Sequence, residues 1–230
     1  MATGIVLLAG SSTRYNPNNP KQFEIVCGRP LFDYSISTFI KSNQIDKVVL
    51  VVKSDHLDSV KSYYSNCEKL VGVIAGGVTR QSSVLLALEF LSSLIKPEEK
   101  ILIQDAARPL VTEKMIEDVI SALDNFESCT IASNIKDNLC ISKSDIIEGY
   151  VDRNITYRIE TPQGFIYQKL FDAHKKMDIN LFSDDTQLLQ AIGIPTKLIL
   201  SDTINLKITT LSDMELFKSI NREFESWNTK

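Results

Sequence analysis

The sequence predicts an α/β fold of the Rossmann-like, doubly wound kind with a mostly parallel sheet, and three observations carry that prediction. Unbroken apolar runs of strand length recur at 5–9, 47–52, 70–74 and 100–103. Between them lie stretches whose apolar residues repeat at helical spacing. The 230 residues, 43% hydrophobic and 23% charged, suit one large domain with a sizeable core. Strands covered on both faces read as continuous Val, Ile and Leu, whereas half-solvated strands alternate, so this rhythm indicates βαβ units.

The first run, Ile5-Val-Leu-Leu-Ala9, reads as a buried strand. Phe32, Ile36, Phe39 and Ile40 then fall on one helical face, and Lys47-Val-Val-Leu-Val-Val52 is the second strand. A helix over 55–64, a third strand at 70–74 and a helix over 82–94 with a strong apolar stripe follow. The strand at 100–103 precedes a helix over 113–123, where Ile116, Val119, Ile120 and Leu123 share a side. The rhythm breaks after Thr130. Residues from about 135 to 165 are polar and β-rich, and they are expected to protrude as a β-arm outside the main sheet. Helical patterning returns over 167–176 and 184–192, the latter stopped by Gly193. Short strands are expected at 196–200 and 206–209, then a last amphipathic helix with Ser212 as N-cap and Glu215 three residues on. Without repeats or linkers, residues 1–230 read as one domain carrying the arm as an insertion.

Composition narrows the function. Lys+Arg number 25 against 29 Asp+Glu, a net charge of −4, which leaves no overall basic footprint for nucleic acid or anionic lipid. No stretch approaches the roughly 20 apolar residues of a membrane span. The run at 5–9 is too short for a secretory signal and has no basic residue before it. Cys27, Cys67, Cys129 and Cys140 form no Cys-x-x-Cys pair, and with His56 and His174 they match no recognised zinc spacing. They are expected as core thiols. A cytoplasmic location follows as the expectation.

In a doubly wound sheet, ligands bind beyond the carboxyl ends of the strands, where the strand order reverses. Three segments fall at such ends. The first, Leu8-Ala-Gly-Ser-Ser-Thr-Arg-Tyr15, leads to Pro20-Lys21-Gln22. Its small residues, Ala9, Gly10, Ser11, Ser12 and Thr13, let backbone N–H groups approach an anion, and Arg14 and Lys21 add fixed positive charge. It matches neither the dinucleotide glycine fingerprint nor a P-loop. An ordinary βα turn with solvated basic residues is the bland alternative. The second, Gly76-Gly77-Val-Thr-Arg80-Gln-Ser-Ser83-Val84, can pass close to a planar base, and Ser82 or Ser83 can cap the next helix. The third, Gln104-Asp105-Ala-Ala-Arg108-Pro109, sets an acid at a strand tip, a common place to hold Mg²⁺ against phosphates. A turn cap paired with Arg108 is its structural alternative.

Together these segments resemble the 2-C-methyl-D-erythritol 4-phosphate cytidylyltransferases and their relatives, the ribitol-5-phosphate cytidylyltransferases. The resemblance rests on Arg14 with Pro20-Lys21-Gln22, on Gly76 to Val84, and on Asp105 to Pro109. Val151-Asp-Arg-Asn154, Thr161-Pro-Gln163, Ser183-Asp-Asp185 and Asn205-Leu-Lys207-Ile-Thr209 continue it in order over essentially the whole chain.

This resemblance implies a nucleotidyltransferase that moves CMP from CTP to methylerythritol phosphate, a step of isoprenoid precursor synthesis, with Mg²⁺ as cofactor. It implies that CTP lies against Leu8, Ala9, Gly10, Ser11, Ser12, Thr13, Arg14, Lys21, Gly77, Arg80, Ser83, Asp105 and Ala106, with Asp105 positioning the metal. The polyol phosphate falls to Arg108, Asn138, Arg153, Thr161, Ser183 and Lys207, and the catalytic cations are Arg14, Lys21, Arg153 and Lys207. It further implies a homodimer with interlocked arms, Arg153 serving a site shared with the partner; an unpaired arm would otherwise leave a long strand edge exposed.

A phosphate oxygen attacking a phosphate needs charge neutralisation and alignment rather than a general base. That matches a proposed site built from Arg and Lys without His or Cys. Val78, Gln104, Asn138 and Ser183 depart from the usual methylerythritol pattern and are expected to alter the polyol pocket. Ribitol 5-phosphate therefore stays open as acceptor, as does a non-catalytic nucleotide-binding module on the same fold. A dinucleotide oxidoreductase lacks its glycine fingerprint.

Overall fold

The structure, a computed structural model, describes residues 2–10, 15 and 20–228, with side chains as far as Asn221. The strands are β1 (Ala2–Leu7), β2 (Ile25–Val26), β3 (Arg29–Pro30), β4 (Lys47–Val52), β5 (Leu70–Ala75) and β6 (Lys100–Asp105). They continue with β7 (Ser128–Asn134), β8 (Leu139–Lys143), β9 (Ile146–Val151), β10 (Tyr157–Ile166) and β11 (Lys197–Leu200). The α-helices are α1 (Leu31–Lys41), α2 (Leu57–Tyr63), α3 (Arg80–Leu91), α4 (Glu113–Ala122), α5 (Tyr167–Lys176), α6 (Asp185–Ala191) and α7 (Leu211–Asn228).

Seven strands form the main sheet in the order β11–β7–β10–β6–β1–β4–β5. All run parallel except β10, which is antiparallel to both β6 and β7. From β1 the chain winds outward through α1 to β4 and through α2 to β5; α3 then returns it to the opposite side of β1 as β6. The order thus reverses between β1 and β6, whose carboxyl ends meet where Leu7 pairs with Asp105. Diverging connections open a crevice at that point.

The apolar runs have the burial they advertise. Val48, Leu50 and Val52 pack with Ile36 and Phe39 of α1 and Ile116 of α4 on one face. Val49 and Val51 pack with Leu88 and Leu91 of α3 and Leu170 of α5 on the other. Both faces of β4 are covered, so its sequence cannot alternate. Each such side chain contributes about 1.5–3 kcal/mol by leaving water.

Three expectations are corrected. The excursion is shorter than 135–165: only β8 and β9 form a separate hairpin, and β10 is a central strand of the main sheet. Its outer half, Tyr157 to Glu160, is polar or exposed in part, which hides a strand whose inner half is buried. β7 was likewise not expected, because Ser-Cys-Thr-Ile-Ala-Ser-Asn is small and polar, yet its first five residues are buried. Residues 206–209 form no strand; Ile208 donates one backbone hydrogen bond to Ala107, 2.8 Å, and buries its side chain with Met214 and Phe217 in a third cluster.

Two smaller corrections concern caps and thiols. The α7 cap is Thr210, whose Oγ1 accepts from Asp213 N at 3.3 Å, while Asp213 Oδ2 accepts from Thr210 N at 2.7 Å. Ser212 and Glu215 do not make that exchange, since the helix starts one residue earlier, at Leu211. Of the cysteines, Cys129 is buried and Cys67 partly so, but Cys27 and Cys140 are exposed on turn and arm. All four are free.

Candidate active site

A cleft of about 530 Å³ opens at the reversal point between β1 and β6. Ala9 and Gly10 form one wall where the chain leaves β1. Lys21 enters from the short 3-10 turn Lys21–Phe23, mostly buried. Gln22 pins this exit by donating from Nε2 to the carbonyls of Gly10 at 3.1 Å and Leu8 at 3.4 Å.

The opposite wall is the β5–α3 turn. Gly76 and Gly77 line it, and bulk is excluded at Gly76: an added Cβ would lie 2.5 Å from Ala9 Cβ and 2.9 Å from Ser83 Oγ. Ser83 donates to Thr79 O at 2.9 Å and accepts from Gly77 N at 3.1 Å, fixing the turn's shape. The α3 cap is Thr79, exchanging hydrogen bonds with Ser82, so the capping role expected of Ser82 is the reciprocal half of a capping box.

Asp105 forms the floor. Its Oδ2 lies 2.6 Å from Lys207 Nζ and its Oδ1 3.5 Å from Arg80 Nε. Burial pushes this carboxyl's pKa up, but the charges of Arg80 and Lys207 outweigh it and hold the group well below the usual carboxylate range. Thr161 Oγ1 accepts from the Asp105 backbone N at 3.1 Å and steadies the strand tip from below. Arg80 turns its Nη1 to Asp185, 2.5 Å away and fully buried.

Lys21, Gly77, Arg80, Ser83, Asp105 and Lys207, chosen from sequence, thus share one cleft with Ala9 and Gly10. Ser11, Ser12, Thr13 and Arg14 lie outside the described residues. Leu8 and Ala106 do not face it: their side chains are buried in the core, because alternate residues at a strand end point to opposite faces. Arg108 is buried behind the floor, donating from Nη1 to Asn205 O at 2.7 Å, with Glu160 at 3.8 Å. It braces the segment bearing Lys207, and its charge also acts on Asp105 from behind. Asn138 and Arg153 sit exposed on the arm, where Arg153 Nη1 donates to Lys136 O at 3.3 Å. Ser183 is exposed and bonded to Gln187 Oε1 at 3.3 Å. Within one chain these three do not join the cleft.

Residues 2–223 match the family of 2-C-methyl-D-erythritol 4-phosphate cytidylyltransferase (IspD). The chain belongs to that family. A 2-C-methyl-D-erythritol 4-phosphate cytidylyltransferase of Thermotoga neapolitana is 38% identical over 225 residues, covering 98% of this chain and 99% of the relative. A ribitol-5-phosphate cytidylyltransferase of Lacticaseibacillus paracasei is 30% identical, covering 98% and 100%. The crystal structure of a 4-diphosphocytidyl-2C-methyl-D-erythritol synthase from Anaerococcus prevotii shares the fold, with TM-score 0.81 at 23% identity over 96% of each chain.

Against that family's pattern the four departures differ in meaning. Val78 is exposed on the cleft wall. Gln104 is buried, donating from Nε2 to the carbonyls of Asp105 and Arg108 at 3.1 and 3.2 Å, so it shapes the floor's turn rather than facing a ligand. Asn138 and Ser183 are outside the cleft, as described above. Sequence reasoning passed over Lys53, Ser54 and Asp55 and took Thr209 only as the end of the Asn205–Thr209 motif, yet all four line the cleft. The first three follow β4 directly, and that position at a strand's carboxyl end was their available signal.

The donor set suits a nucleotide-borne Mg²⁺. Among the described residues no group of three His, Cys, Asp or Glu could hold a metal. Mg²⁺ bound with phosphates commonly takes one or two protein carboxylates and fills the rest with phosphate and water oxygens. Asp105 offers one carboxylate, ionised and aimed into the cleft. Among the described residues no helix is long and apolar enough to cross a membrane.

Proposed function

We propose that this protein transfers CMP from CTP to 2-C-methyl-D-erythritol 4-phosphate and releases pyrophosphate. The observation that carries the reading is the convergence of Lys21, Arg80, Lys207 and Asp105 on one crevice at the switch point of the sheet. Two polyanions must meet there, and Lys21, Lys53, Arg80 and Lys207 outnumber Asp55 and Asp105 in the cleft lining, a positive balance that eases their approach.

In this reading the cytosine lies against Gly77 at the close-packed β5–α3 turn, and the triphosphate runs past Gly10 and Lys21 toward Asp105. By the family resemblance, Arg14 joins Lys21 at the phosphates. Asp105 would hold Mg²⁺, which offsets phosphate charge and eases departure of pyrophosphate. Lys207 sits where the acceptor phosphate meets the α-phosphorus. An oxygen of that phosphate forms the new bond to the α-phosphorus, the bond to the bridging oxygen breaks, and pyrophosphate leaves with the electron pair. The acceptor phosphate is ionised at neutral pH, so no base is required. The enzyme's contribution is alignment and charge.

Arg153 and Asn138 reach a site only if the arm enters a second copy. The reading therefore includes a homodimer in which the partner's arm completes the polyol pocket. Exposed Ile141, Ile146, Ile147 and Tyr150 on the hairpin give that docking its apolar surface. Four free cysteines fit a reducing, cytoplasmic setting.

One observation favours a second acceptor: the Lacticaseibacillus paracasei relative, matched over essentially full length, is named for ribitol 5-phosphate. Incubation with Mg²⁺, each nucleoside triphosphate and either acceptor, followed by pyrophosphate release, tests both. Release with CTP and methylerythritol phosphate is expected. Release only with ribitol phosphate replaces the acceptor, and release with neither refutes the reaction.

A further inference from the structure

Arg80 is bracketed by two carboxylates, and only Asp105 faces the cleft. The other, Asp185, opens α6 and has no solvent exposure. Its Oδ2 accepts from Arg80 Nη1 at 2.5 Å. Its Oδ1 accepts from Gln81 Nε2 at 3.2 Å and faces His174 Nε2 at 3.0 Å. A carboxylate here can only accept, so His174 carries its proton on Nε2. Three donors on a buried carboxylate fix its plane, and that plane in turn fixes the guanidinium.

We propose that Asp185 is a positioning residue for the transfer reaction, holding Arg80 against the cleft so that the other edge of its guanidinium stays aimed at the nucleotide phosphates and Asp105. The inference rests on the reading of the cleft as a CTP site. If Mg²⁺ and phosphates draw Asp105 away from Arg80, Asp185 is the charged partner that remains, beside the Gln81 Oε1 that accepts from Nη1 at 3.0 Å. A solitary Arg at that position would swing toward the incoming charge and lose the alignment on which the in-line geometry depends. Lys207, by contrast, is more exposed and among the described residues pairs through Nζ with Asp105, so the buried clamp belongs to Arg80.

Orientation and charge predict opposite signs for Asp185→Asn. Removing a negative charge behind Arg80 strengthens anion binding if charge alone matters, and losing the clamp weakens it if orientation matters. The expected result is a kcat lower by about tenfold to a hundredfold, weaker CTP binding by calorimetry and an unchanged KM for the polyol phosphate. In an Arg80→Ala background, adding Asp185→Asn should cost less than about twofold further, while thermal stability recovers because the stranded buried charge is gone. Normal kcat, tighter CTP binding, or full additivity of the two losses would overturn the proposal. Should Asp185→Asn not fold, Arg80→Lys serves instead: it keeps the charge but cannot engage both acids, and normal turnover in it would equally overturn the proposal. If wild-type protein releases no pyrophosphate with any acceptor, the reaction fails separately. Inorganic triphosphate binding then decides, weaker in Asp185→Asn supporting the clamp and equal or tighter rejecting it.

Discussion

The carboxylate of Asp105 is buried between Arg80 and Lys207, and those two charges keep it ionised despite its surroundings. A carboxyl whose pKa is depressed on folding stabilises the native state above its ordinary pKa, and that contribution fades as pH falls toward the lowered value. Asp105→Asn should therefore flatten the acid limb of the stability curve. At neutral pH it should cost about 1 kcal/mol, because Arg80 keeps Asp185 and Lys207 is partly exposed to water, measured by urea titration against pH. Lys21→Ala should cut kcat by about a hundredfold or more, the scale for one lost transition-state contact, as read by pyrophosphate release. Gly76→Ala should cost about 1–3 kcal/mol, since Ala9 and Ser83 already occupy the space. These residues were legible in the sequence because residue type limits what Asp, Lys and Gly can do at a strand tip. Asp185 was not, since nothing in its local sequence says that Arg80, over a hundred positions away, lies beside it. Arg108 was legible as important but misread, because only the fold shows it facing Asn205 and Glu160.

At the scale of elements, the segment between β11 and α7 carries Lys207 to the cleft without being a strand. Asn205 Nδ2 donates to Thr161 O at 2.8 Å, Arg108 holds Asn205 O, and Ile208 reaches Ala107. Its apolar alternation mimics a strand because Leu206 and Ile208 both turn to the cluster under α7. The anchor of that helix is Asp213. Burial raises its pKa, but hydrogen bonds from Thr209 and Thr210 dominate and lower it from 3.8 to about 2. Asp213→Ala should cost about 1 kcal/mol at neutral pH, the usual worth of such a cap. The wild-type advantage should be present above pH 3.8 and vanish as pH falls to about 2, a difference that thermal melts of the two proteins across that range would show. The long runs at β1, β4 and β6 were readable because both their faces are buried, and β5, on the sheet edge and only partly covered, was readable from its apolar run. β7 and β10 were not, since small and polar residues in them are covered by neighbours that only the tertiary fold supplies.

Across the whole molecule, a seven-stranded sheet with one reversed strand gathers residues from six segments at a single switch point. Among the described residues the hairpin of β8 and β9 pairs with no other strand, and it exposes Ile141, Ile147 and Tyr150. Ile141→Asp together with Ile147→Asp should yield a folded monomer by sedimentation, with kcat reduced because Arg153 no longer reaches its proposed site. A dimer that persists with full activity would remove the arm from the mechanism. Cleft and arm are separable in this respect: the cleft proposed for the nucleotide belongs to one chain, whereas the polyol pocket is proposed to need two. The most direct test of the nucleotide site is a crystal structure with CTP and Mg²⁺. The triphosphate is expected within hydrogen-bonding distance of Lys21 and Arg80, with the base against Gly77 and the metal on Asp105. Nucleotide bound away from the carboxyl ends of β1 and β6 would contradict it.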